Sequence, residues 1–123
     1  MGTRSTYKPR GEVSTKREPE YAPMRSLRYL LWWLIGGTKG GHTRGRIIIA
    51  LRGEPGNPNQ LAERLKVDYK TARYHLDLLQ RNGLVAHAGE GYAATYFISP
   101  SLEEGYSIFE EIWRKIGEKK KDV

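Results

Sequence analysis

Residues 57–85 read NPNQLAERLKVDYKTARYHLDLLQRNGLV and set out two short helices about three residues apart. Asn57 is a plausible N-cap and Pro58 the first helical residue, where a missing N–H costs nothing. Leu61, Ala62 and Leu65 give that helix one apolar face. Asp68 caps a second helix over 69–82, and Gly83 closes it as the left-handed residue after the last turn. Each residue advances about 100° around a helix, so Ala72, Leu76 and Leu79 define the buried side, with His75 at its edge. Lys70, Tyr74, Asp77 and Arg81 point away from it, and Thr71 and Arg73 flank. The exposed half offers cations, a phenol and a hydroxyl, groups that can meet base edges in a major groove. Candidate base contacts are therefore Lys70, Thr71, Arg73 and Tyr74; Tyr69, Arg81, Asn59 and Gln60 are candidate phosphate contacts. An ordinary solvated helix face is the competing reading of the same residues.

Downstream, 84–88 and 92–99 are rich in Val, Tyr, Thr, Phe and Ile and read as two strands joined by Gly89, Glu90 and Gly91 in a tight hairpin turn. Pro100 ends the second strand, and Ser101 with Glu104 forms a capping box for a last helix of roughly four turns over 101–119, followed by a tail at 120–123. Its apolar residues Leu102, Tyr106, Phe109, Trp113 and Ile116 are spaced for pairing with another helix.

Upstream, a helix over about 43–52 takes Thr43 as N-cap and turns Ile47, Ile48 and Leu51 inward. Glycines at 36, 37, 40 and 41 break the chain before it, and a first helix over 24–35 carries apolar residues at 27, 30, 31 and 34, widened by Trp32, Trp33 and Ile35. So much apolar surface asks for cover from a second subunit, which makes Leu30, Trp33, Leu34, Tyr106, Phe109, Trp113 and Ile116 the candidate dimer interface. Residues 1–23 read as a disordered basic arm and 24–100 as one DNA-binding domain. The fold class expected is mainly α with a small β-hairpin: a winged helix-turn-helix with extra N-terminal and C-terminal dimerisation helices.

Residues 44–85, RGRIIIALRGEPGNPNQLAERLKVDYKTARYHLDLLQRNGLV, resemble the DNA-binding core of ArsR-like winged-helix transcription regulators, in particular an archaeal branch with the recognition-helix pattern YKTxxYHLxxLxxxGLV. The preceding WWLIGGTKGGHTRGR also resembles archaeal members. The likeness extends over about 44–99 and implies a dimeric regulator that binds double-stranded DNA. Many such relatives carry Arg or Lys at the wing tip. Glu90 stands there in this chain, and a carboxylate is repelled by the minor groove, so a weak wing contact is expected at most.

Charge and composition agree with a polyanion partner. The 123 residues carry 21 Lys and Arg against 14 Asp and Glu, a net +7. The excess is concentrated in 24–53, which holds six basic residues and no carboxylate, and Lys39, Arg44 and Arg46 there are further candidate phosphate contacts. The absence of cysteine excludes disulfides, thiolate metal sites and thiol nucleophiles. His42, His75 and His87 are not spaced as a ligand pair, so no metal and no cofactor are expected. GGTKGG lacks the GK[ST] ending of a phosphate-binding loop, and GEGYAA at 89–94 is followed by a strand rather than the helix a dinucleotide site requires. No catalytic constellation emerges, and the chain is read as not an enzyme. The longest uncharged stretch, 29–38, is too short for a bilayer span, which indicates a cytoplasmic protein with no membrane partner. The function expected is that of a homodimeric transcription regulator reading an inverted repeat through helix 69–82. The alternatives are a winged-helix adaptor for basal transcription factors and a structured-RNA-binding protein.

Overall fold

The helix starts expected at Asn57 and Asp68 are realised as hydrogen bonds. The computed structural model describes residues 22–121, with side chains over 26–117. The arm proposed for 1–23 and the tail at 120–123 therefore lie wholly outside the described side chains, and outside the described residues but for 22–23 and 120–121. Helix α1 spans Ala22–Leu31 and runs into a wider π turn at Trp32–Gly36. Helices α2 (Gly41–Gly53), α3 (Pro58–Leu65) and α4 (Tyr69–Arg81) follow. Strands β1 (Val85–Ala88) and β2 (Thr95–Ile98) form an antiparallel pair with Val85 opposite Ile98 and Ala88 opposite Thr95. Helices α5 (Pro100–Glu104) and α6 (Tyr106–Lys121) close the described chain.

At α3 the Asn57 side chain accepts from the Gln60 N–H at 2.8 Å and Gln60 Oε1 accepts from the Asn57 N–H at 2.9 Å, a reciprocal capping box. At α4 the Asp68 carboxylate accepts from the Thr71 N–H at 2.7 Å. The turn between the two helices is closed by Lys66 in the left-handed conformation (φ 60°). After α4, Gly83 takes φ 76° and the Leu84 N–H reaches back to the Leu79 carbonyl, so the chain reverses directly into the wing.

Leu31, Leu34, Ile47, Ile48, Leu51, Leu61, Leu76, Leu79, Leu102 and Ile112 are fully buried in one core to which every helix contributes. Close packing against α2 explains two of its glycines. A Cβ on Gly41 would collide with the Ile35 carbonyl, and one on Gly45 would collide with the indole of Trp113. Trp113 thus lies flat on α2, stacked between Phe109 and His42. An ion pair of Arg28 with Glu111 at 3.2 Å joins α1 to α6.

Several boundaries depart from expectation. Helix α2 begins two residues before Thr43, on Gly40 with φ 88°, because the glycines permit a start that needs no side-chain cap. The wing connection is not a tight turn on 89–91 but spans 89–94 and contains a short 3-10 turn at Gly91–Ala93, which takes Tyr92 out of β2. The last helix is capped by Ser99, not Ser101: Ser99 accepts from the Leu102 N–H, with Pro100 in the first turn, and Gly105 then separates α5 from α6. A third backbone segment, unexpected from the sequence, joins the wing. Gly56 exchanges both backbone hydrogen bonds with Tyr96, tying β2 to the loop before α3. The architecture is mostly helical with a two-stranded antiparallel hairpin, a winged helix-turn-helix.

Candidate nucleic-acid interface

Helix α4 buries Ala72, Leu76 and Leu79 against the core and leaves Lys70, Tyr74 and Arg81 on the opposite, exposed face, with Tyr74 58% accessible. Thr71 is half-buried behind the N-cap. The Thr71 N–H, then its hydroxyl, hold the Asp68 carboxyl below the usual carboxylate range, so the cap stays anionic at the positive end of α4.

Arg73 does not project freely. Its Nε donates to Asp77 Oδ1 at 3.2 Å and its Nη1 to the Tyr69 hydroxyl at 3.2 Å. These partners, Tyr69 first and Asp77 second, raise the guanidinium above its already high ordinary value. The Tyr69 ring in turn lies 6.0 Å from that of Tyr92 at the exposed wing connection. Four-residue spacing puts Tyr69, Arg73 and Asp77 on one flank of α4, facing the wing. Arg73, Asp77, Arg81 and Gln80 from α4, with His87 and Tyr96 from the hairpin, line an open groove between the two. His87 Nδ1 and Gln80 Oε1 approach to 3.0 Å across it. The spacing of Tyr69, Arg73 and Asp77 is a signal by which this clamp could have been found; the approach of Tyr92 is not readable, because it depends on the 3-10 turn.

Of the other expected phosphate contacts, Asn59 is exposed at the start of α3, while the Gln60 carbonyl oxygen is engaged in the capping box. Lys39 is exposed in the glycine turn. Arg46 is half-buried and donates to the Leu65 carbonyl at 3.0 Å, fastening α2 to the end of α3. Arg44 is a correction. It is 2% exposed, and its guanidinium donates to the carbonyls of Leu34 and Lys39 and to Thr38 Oγ1, so it faces the interior and cannot meet a phosphate.

The candidate dimer surface is also redrawn. Leu34, Phe109 and Tyr106 belong to the core of the single chain and have no surface to offer a second one. Leu30, Trp113 and Ile116 are half-buried against that core, and Trp33 is 57% exposed. Tyr29 and Trp32, not among the expected interface residues, are exposed beside it. Among the described residues no three His, Asp or Glu side chains gather as a metal site, and no helix is long and apolar enough to cross a membrane.

A helix-turn-helix domain family matches residues 42–88. No curated protein sequence matches the chain. Among solved structures, the chain is similar to the homodimeric winged helix-turn-helix DNA-binding domain of a possible ArsR-family transcriptional regulator from Mycobacterium bovis. That likeness has 18% identity and a TM-score of 0.57, over 86% of this chain and 94% of that one. It is similar also to the PcaV transcriptional regulator of Streptomyces coelicolor (21% identity, TM-score 0.56, 79% and 72% covered) and to HlyU of Vibrio cholerae (21%, 0.54, 73% and 92%). At these identities the likeness establishes the winged helix-turn-helix fold.

Proposed function

We propose that the chain is a homodimeric, sequence-specific DNA-binding transcription regulator of ArsR-like type, acting in the cytoplasm, that sets α4 in the major groove of an inverted repeat. The observation that carries this reading is the composition of the outer face of α4. Lys70, Tyr74 and Arg81 are exposed there, and the one nearby carboxylate on the helix, Asp77, is engaged by Arg73. Such a face is attractive to a polyanion and rich in donors for base edges. Lys70, Thr71, Arg73 and Tyr74 are assigned to bases. Asn59, Gln60, Tyr69, Arg81, Lys39 and Arg46 are assigned to phosphates, the last three as charge contacts. The archaeal kinship implied by the pattern at 69–85 is part of this reading.

The homodimer is supported by the exposed aromatic group Tyr29, Trp32 and Trp33 on α1 and the turn after it, next to the half-buried Leu30. The homodimeric Mycobacterium bovis domain lends it weight. Selection of bound duplexes from a random-sequence pool tests the reading directly: an enriched, two-fold symmetric motif is expected. The same aromatic group, with the acidic wing tip at Glu90, favours as second reading an adaptor that binds a basal transcription factor. Capture of such a factor without any enriched duplex would select it.

A further inference from the structure

Arg44 is held by four described partners, all of them uncharged while His75 is neutral. Nε donates to the Leu34 carbonyl at 2.7 Å, Nη2 to Thr38 Oγ1 at 2.6 Å and to the Lys39 carbonyl at 3.0 Å, and Nη1 lies 3.2 Å from His75 Nδ1. A guanidinium has donors only, so Nδ1 must accept and the ring proton sits on Nε2. His75 is 7% exposed and belongs to α4, one residue after Tyr74 on the outward face. The contact is made close by Gly40, whose φ of 88° suits glycine and whose Cβ, if present, would stand 2.8 Å from His75 Cε1 and 3.0 Å from Arg44 Nη1. One guanidinium thereby ties the end of the turn after α1, the glycine turn and α2 to α4. Thr38 passes the network on by donating to the Trp33 carbonyl at 2.9 Å, beneath the exposed aromatic group.

We propose that Arg44 and His75 are a positioning pair for α4, in which the guanidinium seats the helix for duplex binding only while His75 is unprotonated, so that acidification loosens α4 from the glycine turn. The inference rests on the DNA-binding reading. A proton on His75 would turn its acceptor into a donor facing a donor and set two cations in contact at a buried site, where their repulsion is weakly screened. The groups facing the imidazole are Arg44 from α2, the Tyr74 ring from its own helix at 5.1 Å, and Gly40 from the glycine turn, which carries no charge. Burial first, and the guanidinium second, hold His75 below its ordinary 6.5. The unfolded chain takes up the proton at the ordinary value and the folded chain only at lower pH. The stabilisation is therefore complete above the ordinary value and is lost as pH falls below it toward the folded value.

The test uses the full chain and three variants. His75→Asn places an amide oxygen near the position of Nδ1 and cannot titrate in this range; His75→Phe removes the acceptor; Thr38→Val removes one Arg44 partner without touching α4. The readouts are the imidazole NMR titration, the thermal unfolding midpoint against pH, and affinity for a duplex enriched by the wild-type chain near neutral pH. Between about pH 7.5 and pH 5.5 the wild-type chain should lose roughly tenfold more duplex affinity than His75→Asn does, each measured against its own neutral value. Its unfolding midpoint should fall more steeply as well. His75→Phe should bind weakly already at neutral pH, and Thr38→Val should raise the pH at which the loss sets in. Parallel pH profiles for wild type and His75→Asn, or a His75 that titrates at or above its ordinary value, overturn the proposal. If no duplex is enriched at all, the DNA-binding reading falls, and the unfolding and imidazole profiles still decide whether the pair responds to a proton.

Discussion

Arg73 and Arg44 have the same side chain, and the structure gives them opposite work. Arg73 keeps part of its fork toward the groove between α4 and the wing while Asp77 and Tyr69 fix its orientation, and a fixed fork loses less entropy when it meets a base edge. Arg73→Ala should cost roughly 1–3 kcal/mol of binding to an enriched duplex and relax its preferred sequence, whereas Lys39→Ala should weaken all duplexes alike. Titrations of enriched and scrambled duplexes separate the two; an equal effect of both changes on both duplexes would remove Arg73 from the base-reading set. The clamp was legible in advance, because Tyr69, Arg73 and Asp77 stand four apart on one helix. The burial of Arg44 was not. Its partners include the Leu34 carbonyl and a histidine 31 positions away, and a local charge count cannot tell an interior arginine from an exposed one.

At the scale of the elements, what could be read was whatever the chain decides locally. The caps at Asn57 and Asp68, the proline at the start of α3 and the glycine after α4 all act within a few residues, and all are where the pattern put them. Asn57→Ala, which removes one half of the reciprocal capping box, should lower unfolding stability by about 1 kcal/mol in a denaturant titration. Leu76→Ala, which empties a fully buried position on the inner face of α4, should cost about 2–5 kcal/mol in the same measurement. A Leu76 substitution costing no more than the cap would mean that α4 is not packed as described. The misplaced elements have both local and tertiary causes. Ser99 and Ser101 are both sound caps by sequence, and Pro100, restricted to the first turn, decides for Ser99. The wing connection is long because β2 starts only at Thr95, where Gly56 and Tyr96 have already paired across the sheet edge.

For the whole molecule, the charge excess means something different after folding. The stretch 24–53 is the most basic in sequence, but Arg44 is interior, Arg46 is half-buried with part of its fork on a carbonyl, and Arg28 and Arg52 are ion-paired with Glu111 and Glu103. Exposed cations with no ion pair among the described residues include Lys39, Lys66 in the turn before α4, and Lys70 and Arg81 on α4 itself. Long-range attraction and local reading then converge on one helix. The apolar stripes of α1 and α6 have the spacing of a seam between two chains, yet most of that seam closes inside one chain. Periodicity locates an apolar face without saying whose surface covers it. What is left for a partner is Tyr29, Trp32 and Trp33. Replacing Tyr29 and Trp33 together by alanine should shift sedimentation toward a slower, monomeric species without changing the unfolding cooperativity, and a wild-type chain that sediments as a monomer at micromolar concentration would contradict the dimer.

The central claim is that α4 reads sequence, and selection from a random duplex pool, run in parallel for the wild-type chain and Lys70→Ala, addresses it most directly. The wild-type chain should enrich an inverted repeat with half-sites about one helical turn apart, and Lys70→Ala should lose or alter the motif. Recovery of unenriched duplexes by the wild-type chain, or of the same motif by both proteins, would contradict it.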